Sequence, residues 1–148
     1  MSATHVKAIP EGFHTVTPYV TASDANAVIE FLQRAFDATL VERIDDGKGR
    51  IRHAQVKVGD SFVMLSDGND DCTPAPASFY LYLNDVDAAY ARALRAGGES
   101  IMEPADQFYG DRNAGVRDAS GNTWWLATHI EDVPSEEIAR RARSAGNA

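Results

Sequence analysis

The chain has 148 residues, 44% of them hydrophobic and 24% charged, which suits a globular domain with a sizeable core and excludes a disordered one. A net charge of −8 without a dense basic block excludes nucleic acid as a partner, and the single Cys72 excludes a disulfide framework and any CxxC metal site. The N-terminus MSATHVKAIPEGFH lacks the apolar run of a signal peptide and no later stretch could span a bilayer, so the expectation is a cytoplasmic protein without a membrane partner.

The first element is the alternating, strand-like run HTVTPYV, residues 14 to 20. Ser23 or Asp24 then offers a helix cap, and Val28, Phe31, Leu32 and Ala35 recur at helical spacing as one apolar stripe. A short strand follows near Thr39–Ile44. The stretch DDGKGR, residues 45 to 50, reads as a hairpin turn, because it lacks the following helix that a phosphate-cradling glycine loop needs. Residues 50 to 66, RIRHAQVKVGDSFVMLS, read as a hairpin turning at Gly59-Asp60. The Gly, Asn, Asp and Pro content of SDGNDDCTPAPA, residues 66 to 77, marks a linker.

The same order then repeats. A strand-like run begins at Ser78, Asn84 or Asp85 offers a cap, and Val86, Ala89, Tyr90, Ala93 and Leu94 form a second helical stripe that ends at Gly97-Gly98. A short strand near Ser100–Met102 and a hairpin over RNAGVRDASGNTWWLAT, residues 112 to 128, complete the copy, with the turn around Ser120-Gly121. Glu136 and Arg140, four apart in the tail, give a charged helix with a solvated face. The expectation is a single α+β domain over 1–148, made of two βαβββ modules at 13–66 and 78–129, with a C-terminal tail at 133–148. One helix can cover only one face of each four-stranded sheet, which implies a groove between the modules.

Strand alternation sorts the side chains. Tyr80 and Tyr82 share one face, and Phe79 and Leu81 the other; Trp125 goes with Thr123 and Ala127, and Trp124 with Leu126 and Thr128. One tryptophan therefore packs under helix Val86–Ala96 while its neighbour faces the groove, and aromatic walls suit planar organic ligands. His53 and Gln55 share a strand face and present polar groups either to a ligand or to a wet sheet edge. In the loop DQFYGDR, residues 106 to 112, Arg112 can clamp an anion while Tyr109 stacks or donates. The alternative there is an Asp–Arg pair that stiffens the turn, with Phe108 in the core. No GxSxG nucleophile elbow is present, and Cys72 has no adjacent His.

Five stretches carry a family likeness: FHTVTPYV at 13–20, AVIEFLQRAFDA at 27–38, HAQVKVGDSFVML at 53–65, LYLNDVDAAYARALRAGG at 81–98 and DQFYGDRNAGVRDASGNTWWLATH at 106–129. Together they resemble the vicinal oxygen chelate superfamily, which includes glyoxalase I, bleomycin-resistance proteins and extradiol dioxygenases, and most closely its PhnB-like branch. The resemblance implies paired modules, a cupped mixed sheet and a homodimer. Metal-using members place four ligands, mostly His and Glu, on particular strands. Of these positions the first falls on His14, the second near Met64, the third at Ser78 or Phe79, and the fourth, four residues after the Gly, on Trp125. Thioether and indole cannot replace carboxylates around a hard metal, so neither a metal nor another cofactor is expected. The same resemblance puts His14 on the cavity face, as a general base or as a wall residue inherited from a metal-binding ancestor.

The leading reading is a protein that binds a small organic molecule in an aromatic-lined groove through His14, Gln55, Met64, Tyr80, Tyr109, Arg112 and Trp125. The alternative is a lyase or isomerase using His14 as acid/base, with help from Gln55 or Arg112 and with or without a metal. A third reading is a dimeric assembly protein whose aromatic face is buried and takes no ligand.

Overall fold

Strand, helix and three strands recur twice along the chain, and the reason lies in where each helix is tied. The computed structural model describes residues 5–146 and divides into two compact units, Met1–Pro76 and Ala77–Ala148. The first unit contains β1 (Tyr19–Ala22), α1 (Ala25–Phe36), β2 (Thr39–Asp45), β3 (Ile51–Val58) and β4 (Ser61–Asp67). The second contains β5 (Ser78–Tyr82), α2 (Val86–Arg95), β6 (Glu99–Asp106), β7 (Asp111–Arg117) and β8 (Thr123–His129), followed by α3 (Ser135–Gly146).

In the first unit the sheet runs β1-β4-β3-β2, with β1 parallel to β4 and the other pairs antiparallel. Asp24 caps α1 by accepting from the Ala27 amide at 3.1 Å. A second carboxylate, Asp67 at the end of β4, accepts from Ala25 N at 2.8 Å and from Ile51 N at 2.7 Å, which joins the start of the helix to the start of β3. Val28, Phe31, Leu32 and Ala35 are buried as the periodicity requires, against Val20, Ala54, Val56, Val63 and Leu65 from one sheet face. The first strand is shorter than its alternation suggests. Pairing with β4 begins at Tyr19, so His14 precedes the strand and is exposed. Pro18 has no N–H to give a ladder, and the segment before it is held instead by Phe13 stacked on Phe62, ring centres 4.2 Å apart.

The second unit has the same topology, β5-β8-β7-β6, with β5 parallel to β8. Asp85 caps α2 through the Ala88 amide at 3.1 Å. Thr128 Oγ1 accepts from Val86 N and donates to Leu83 O, both at 2.9 Å, which fixes the helix on one face of β8. Val86 and Ala93 are buried over Ala114, Val116, Trp124 and Leu126. The stripe is narrower than its spacing predicts: Leu94 is 37% exposed. The strand expected at Ser100–Met102 reaches Asp106, with register breaks on either side of Met102. As the edge of the sheet it tolerates both the breaks and Pro104. The charged tail does form a helix; Arg141 of α3 pairs with Glu131 at 3.0 Å and donates to Phe108 O at 3.1 Å. Among the described residues no helix is long and apolar enough to cross a membrane.

Candidate functional site

The adjacent tryptophans go to opposite sides of β8. Trp124 is 1% exposed, stacks on Phe79 with ring centres 4.3 Å apart, and donates Nε1–H to Asp118 at 2.8 Å on the face that α2 covers. Trp125 lies on the uncovered face, opposite Tyr80 on β5 and Gly115 on β7. A Cβ at Gly115 would stand 2.6 Å from Trp125 Cζ3, so only glycine lets the indole lie this close to the strand.

Tyr80, Met102, Gln107, Tyr109, Asn113 and Trp125 line an open pocket of about 280 Å³ on that face, inside the second unit. The loop that delivers Tyr109 is set by Gly110, whose φ of +100° suits glycine. A Cβ there would meet Glu131 O at 2.2 Å. Asn113, 3% exposed, donates from Nδ2 to Tyr80 Oη at 3.2 Å and to Tyr109 Oη, while its enclosed Oδ1 has no partner. An unmatched buried acceptor of this kind costs about 1–3 kcal/mol.

Behind the pocket sits Asp111, also 3% exposed. One carboxylate oxygen accepts from Tyr80 Oη at 2.7 Å and Tyr82 Oη at 3.0 Å, and the other meets His129 Nδ1 at 2.9 Å. His129 Nε2 in turn lies 2.7 Å from Asp132. Burial pushes the Asp111 carboxyl upward, but the donors His129, Tyr80 and Tyr82 outweigh it and hold it below the usual carboxylate range. Burial, then the bond to Asp111, raises the Tyr80 phenol; the bond to Asp111, then burial, raises Tyr82. Both phenols are therefore fixed donors at neutral pH and unsuited to act as bases.

Between two carboxylates, first Asp111 and then Asp132, His129 holds its proton above the ordinary imidazole range. The sign of the linkage follows. The raised His129 stabilises the fold below its unfolded pKa of about 6.5, and that contribution is lost as pH rises through its folded value. The lowered Asp111 stabilises above about pH 4 and loses its contribution as pH falls through its folded value. The pair thus contributes most between about pH 4 and 6.5. Thermal melts of the wild type and His129→Gln are expected to differ most in that window and to converge at alkaline pH; a difference that grows above pH 8 would show the imidazolium is not the stabilising form.

The sequence-derived site residues separate into three groups. Tyr80, Tyr109 and Trp125 meet in the second-unit pocket. His14, Gln55 and Met64 line a different pocket, of about 520 Å³, within the first unit. There Gln55 Nε2 lies 3.4 Å from His53 Nε2, and His53 Nδ1 is 3.4 Å from Tyr19 Oη, so the neighbour of His53 is a phenol, not a carboxylate. Arg112 joins neither pocket. Alternation turns it toward α2, where it pairs with Asp87 at 2.8 Å and Asp106 at 3.0 Å. An Asp–Arg pair does therefore form within the loop, through Asp106 and not Asp111, because consecutive strand residues face opposite ways. Phe108 is 36% exposed rather than in the core.

The residues present do not fit a metal. Met64 and Trp125 offer thioether and indole on their strands, where a hard metal needs carboxylates. Among the described residues no three His, Cys, Asp or Glu side chains gather as a ligand set. Asn113, Met102 and His129 escaped the sequence reading. Counting outward from the Ser120-Gly121 turn pairs 115 with 125, 113 with 127 and 111 with 129, a signal that would have found two of them.

The sequence profile described as the Glyoxalase/Bleomycin resistance protein/Dioxygenase superfamily matches residues 12–126. An uncharacterized protein of Mycobacterium tuberculosis is 32% identical over 143 residues, covering 89% of this chain and 84% of that protein. Among solved structures, TioX from Micromonospora sp. ML1 aligns with a TM-score of 0.68 at 24% identity, over 79% of this chain and 99% of TioX. The PhnB protein from Bacillus cereus aligns at 0.60 and 21% identity, over 78% and 99%. At these identities the structural likenesses establish the shared fold.

Proposed function

Because the chain belongs to the glyoxalase/bleomycin resistance protein/dioxygenase superfamily, we propose that its second unit binds a small organic molecule against Trp125, Tyr80 and Tyr109, without the superfamily's usual metal. The observation that carries this reading is the indole of Trp125. It forms a wall of the pocket, and the family resemblance implies that its strand position is the one where metal-using relatives keep a carboxylate. Aromatic walls with a few polar groups favour planar or amphipathic ligands. A binding role fits better than catalysis here, since neither phenol is a base and no hard donor set gathers among the described residues. The acid/base reading of His14 belongs with the separate first-unit set of Gln55 and Met64.

The test is a panel of planar aromatic compounds titrated against tryptophan emission. Binding is expected to quench the wild type and Trp124→Phe alike, and to weaken about tenfold in Trp125→Ala, the scale of one lost stacking contact. Undiminished affinity in Trp125→Ala would remove the proposal.

A further inference from the structure

The hydrogen bonds around Asn113 leave one proton at the pocket without a taker. Asp111 accepts from Tyr80 Oη at 2.7 Å, so the Tyr80 proton is spent and its oxygen faces Asn113 as an acceptor. This fixes the Asn113 amide with Nδ2 toward Tyr80, at 3.2 Å; the reversed amide would set two acceptors face to face. Asn113 Oδ1 is enclosed and offers a ligand nothing. Nδ2 also donates to Tyr109 Oη, so that oxygen carries its own proton on the other side. Among the described residues no acceptor takes the Tyr109 proton. Gln107, whose amide can turn either way, and the indole of Trp125 border the same space.

We infer that the ligand is a neutral aromatic carbonyl compound whose oxygen accepts the Tyr109 proton while its ring lies against Trp125. The inference rests on the proposed binding function and narrows its ligand class. A bare hydrocarbon ring would cover the hydroxyl and leave its donor unpaired, which costs affinity. A carboxylate would accept the proton too, but no Lys or Arg lines the pocket to offset its loss of water. Arg112 is committed to Asp87 and Asp106. Behind Tyr80 the Asp111 carboxylate adds a like charge, and its His129 partner is shared with Asp132. An ammonium group would set its own donors against a hydroxyl that has a proton to give. A carbonyl meets that donor without bringing a charge.

Four bicyclic probes separate the ideas: 1-indanone, indane, indane-1-carboxylate and 1-aminoindane. Each is titrated at neutral pH into the full chain while the Trp125 indole N–H resonance is followed, assigned with Trp125→Phe. 1-Indanone is expected to bind about fivefold more tightly than indane, the scale of one net hydrogen bond. The carboxylate and the amine should bind no more tightly than indane. Tyr109→Phe, which removes a single oxygen, should bring 1-indanone and indane to equal affinity. If that variant does not fold, the ranking of the four probes on the wild type decides the matter. Equal binding of 1-indanone and indane to the wild type would overturn the carbonyl assignment while leaving the pocket's binding function standing. So would a charged probe that binds more tightly than 1-indanone, or a ketone preference that survives Tyr109→Phe. A Trp125 resonance unmoved by all four would overturn both.

Discussion

Asp118→Ala is expected to lower the stability of the protein by about 3–5 kcal/mol, the scale of removing the acceptor from a buried network. Asp118 is 5% exposed at the turn between β7 and β8. Its carboxylate accepts from Ser120 N at 2.9 Å, Asn122 N at 3.0 Å, Asn122 Nδ2 at 3.0 Å and Trp124 Nε1 at 2.8 Å. Asn122 and Trp124 are each 1% exposed, so truncation would strand their donors away from water. The network also reaches β5, because Asn122 Oδ1 accepts from Ala77 N at 3.0 Å just before that strand. At roughly 2–4 °C per kcal/mol for a chain of this size, the melting temperature should fall by about 6–20 °C. Asp118→Asn, which keeps one acceptor but turns an NH2 toward donors, should fall between. Chemical denaturation measures the loss directly, and a cost below about 1 kcal/mol would mean that water replaces the carboxylate.

The sequence carried the repeat well because its signals are local. Caps at Asp24 and Asp85, the stripe of α1 and the turns at Gly59-Asp60 and Ser120-Gly121 all act within a few residues, and the structure uses each. Propensity misjudged the beginning of β1, where alternation through HTVTPYV looks strand-like but Pro18 and the Phe13–Phe62 stack set the boundary. It also misjudged β6, since an irregular edge strand has no clean period to read. Asp67 shows the other limit: its bonds to Ala25 and Ile51 join residues 42 and 16 positions away, which no window reveals.

The site was legible in its aromatic half. Alternation separated Trp124 from Trp125 and Phe79 from Tyr80 within their strands, and the β5–β8 register then puts Trp125 and Tyr80 together on the pocket. The polar half needed pairing across strands. Asp111 and His129 are 18 residues apart in sequence and become partners only through the β7–β8 register. For Arg112 the loop sequence offered a clamp or an Asp–Arg pair, and its strand position pairs it with Asp106 and with Asp87 of α2, a partner 25 residues away that the loop could not reveal.

The largest expected effect on binding comes from a single methyl group, at Gly115. Its position on β7 is paired with Trp125, and a built Cβ comes within 2.6 Å of Cζ3 and 2.8 Å of Cε3. The backbone of Gly115 is not in the left-handed region, so alanine itself is unstrained and only the indole must move. The ring cannot move into the sheet; it must swing outward, into a pocket of about 280 Å³ that it now only borders. Trp125→Ala merely removes a stacking surface, whereas Gly115→Ala puts the ring where the ligand would lie. Aromatic-probe affinity is therefore expected to fall about thirtyfold, or roughly 2 kcal/mol, exceeding the loss in Trp125→Ala. Stability should change little, because relief of the glycine penalty of about 0.5–1 kcal/mol offsets part of an overpacking cost of about 1–3 kcal/mol. The double variant Gly115→Ala/Trp125→Ala supplies the decisive comparison. With no ring left to displace, its affinity should return to that of Trp125→Ala alone, a non-additivity expected of residues in contact. Strict additivity of the two losses would instead mean that Gly115 acts through the backbone and that the indole does not gate the pocket.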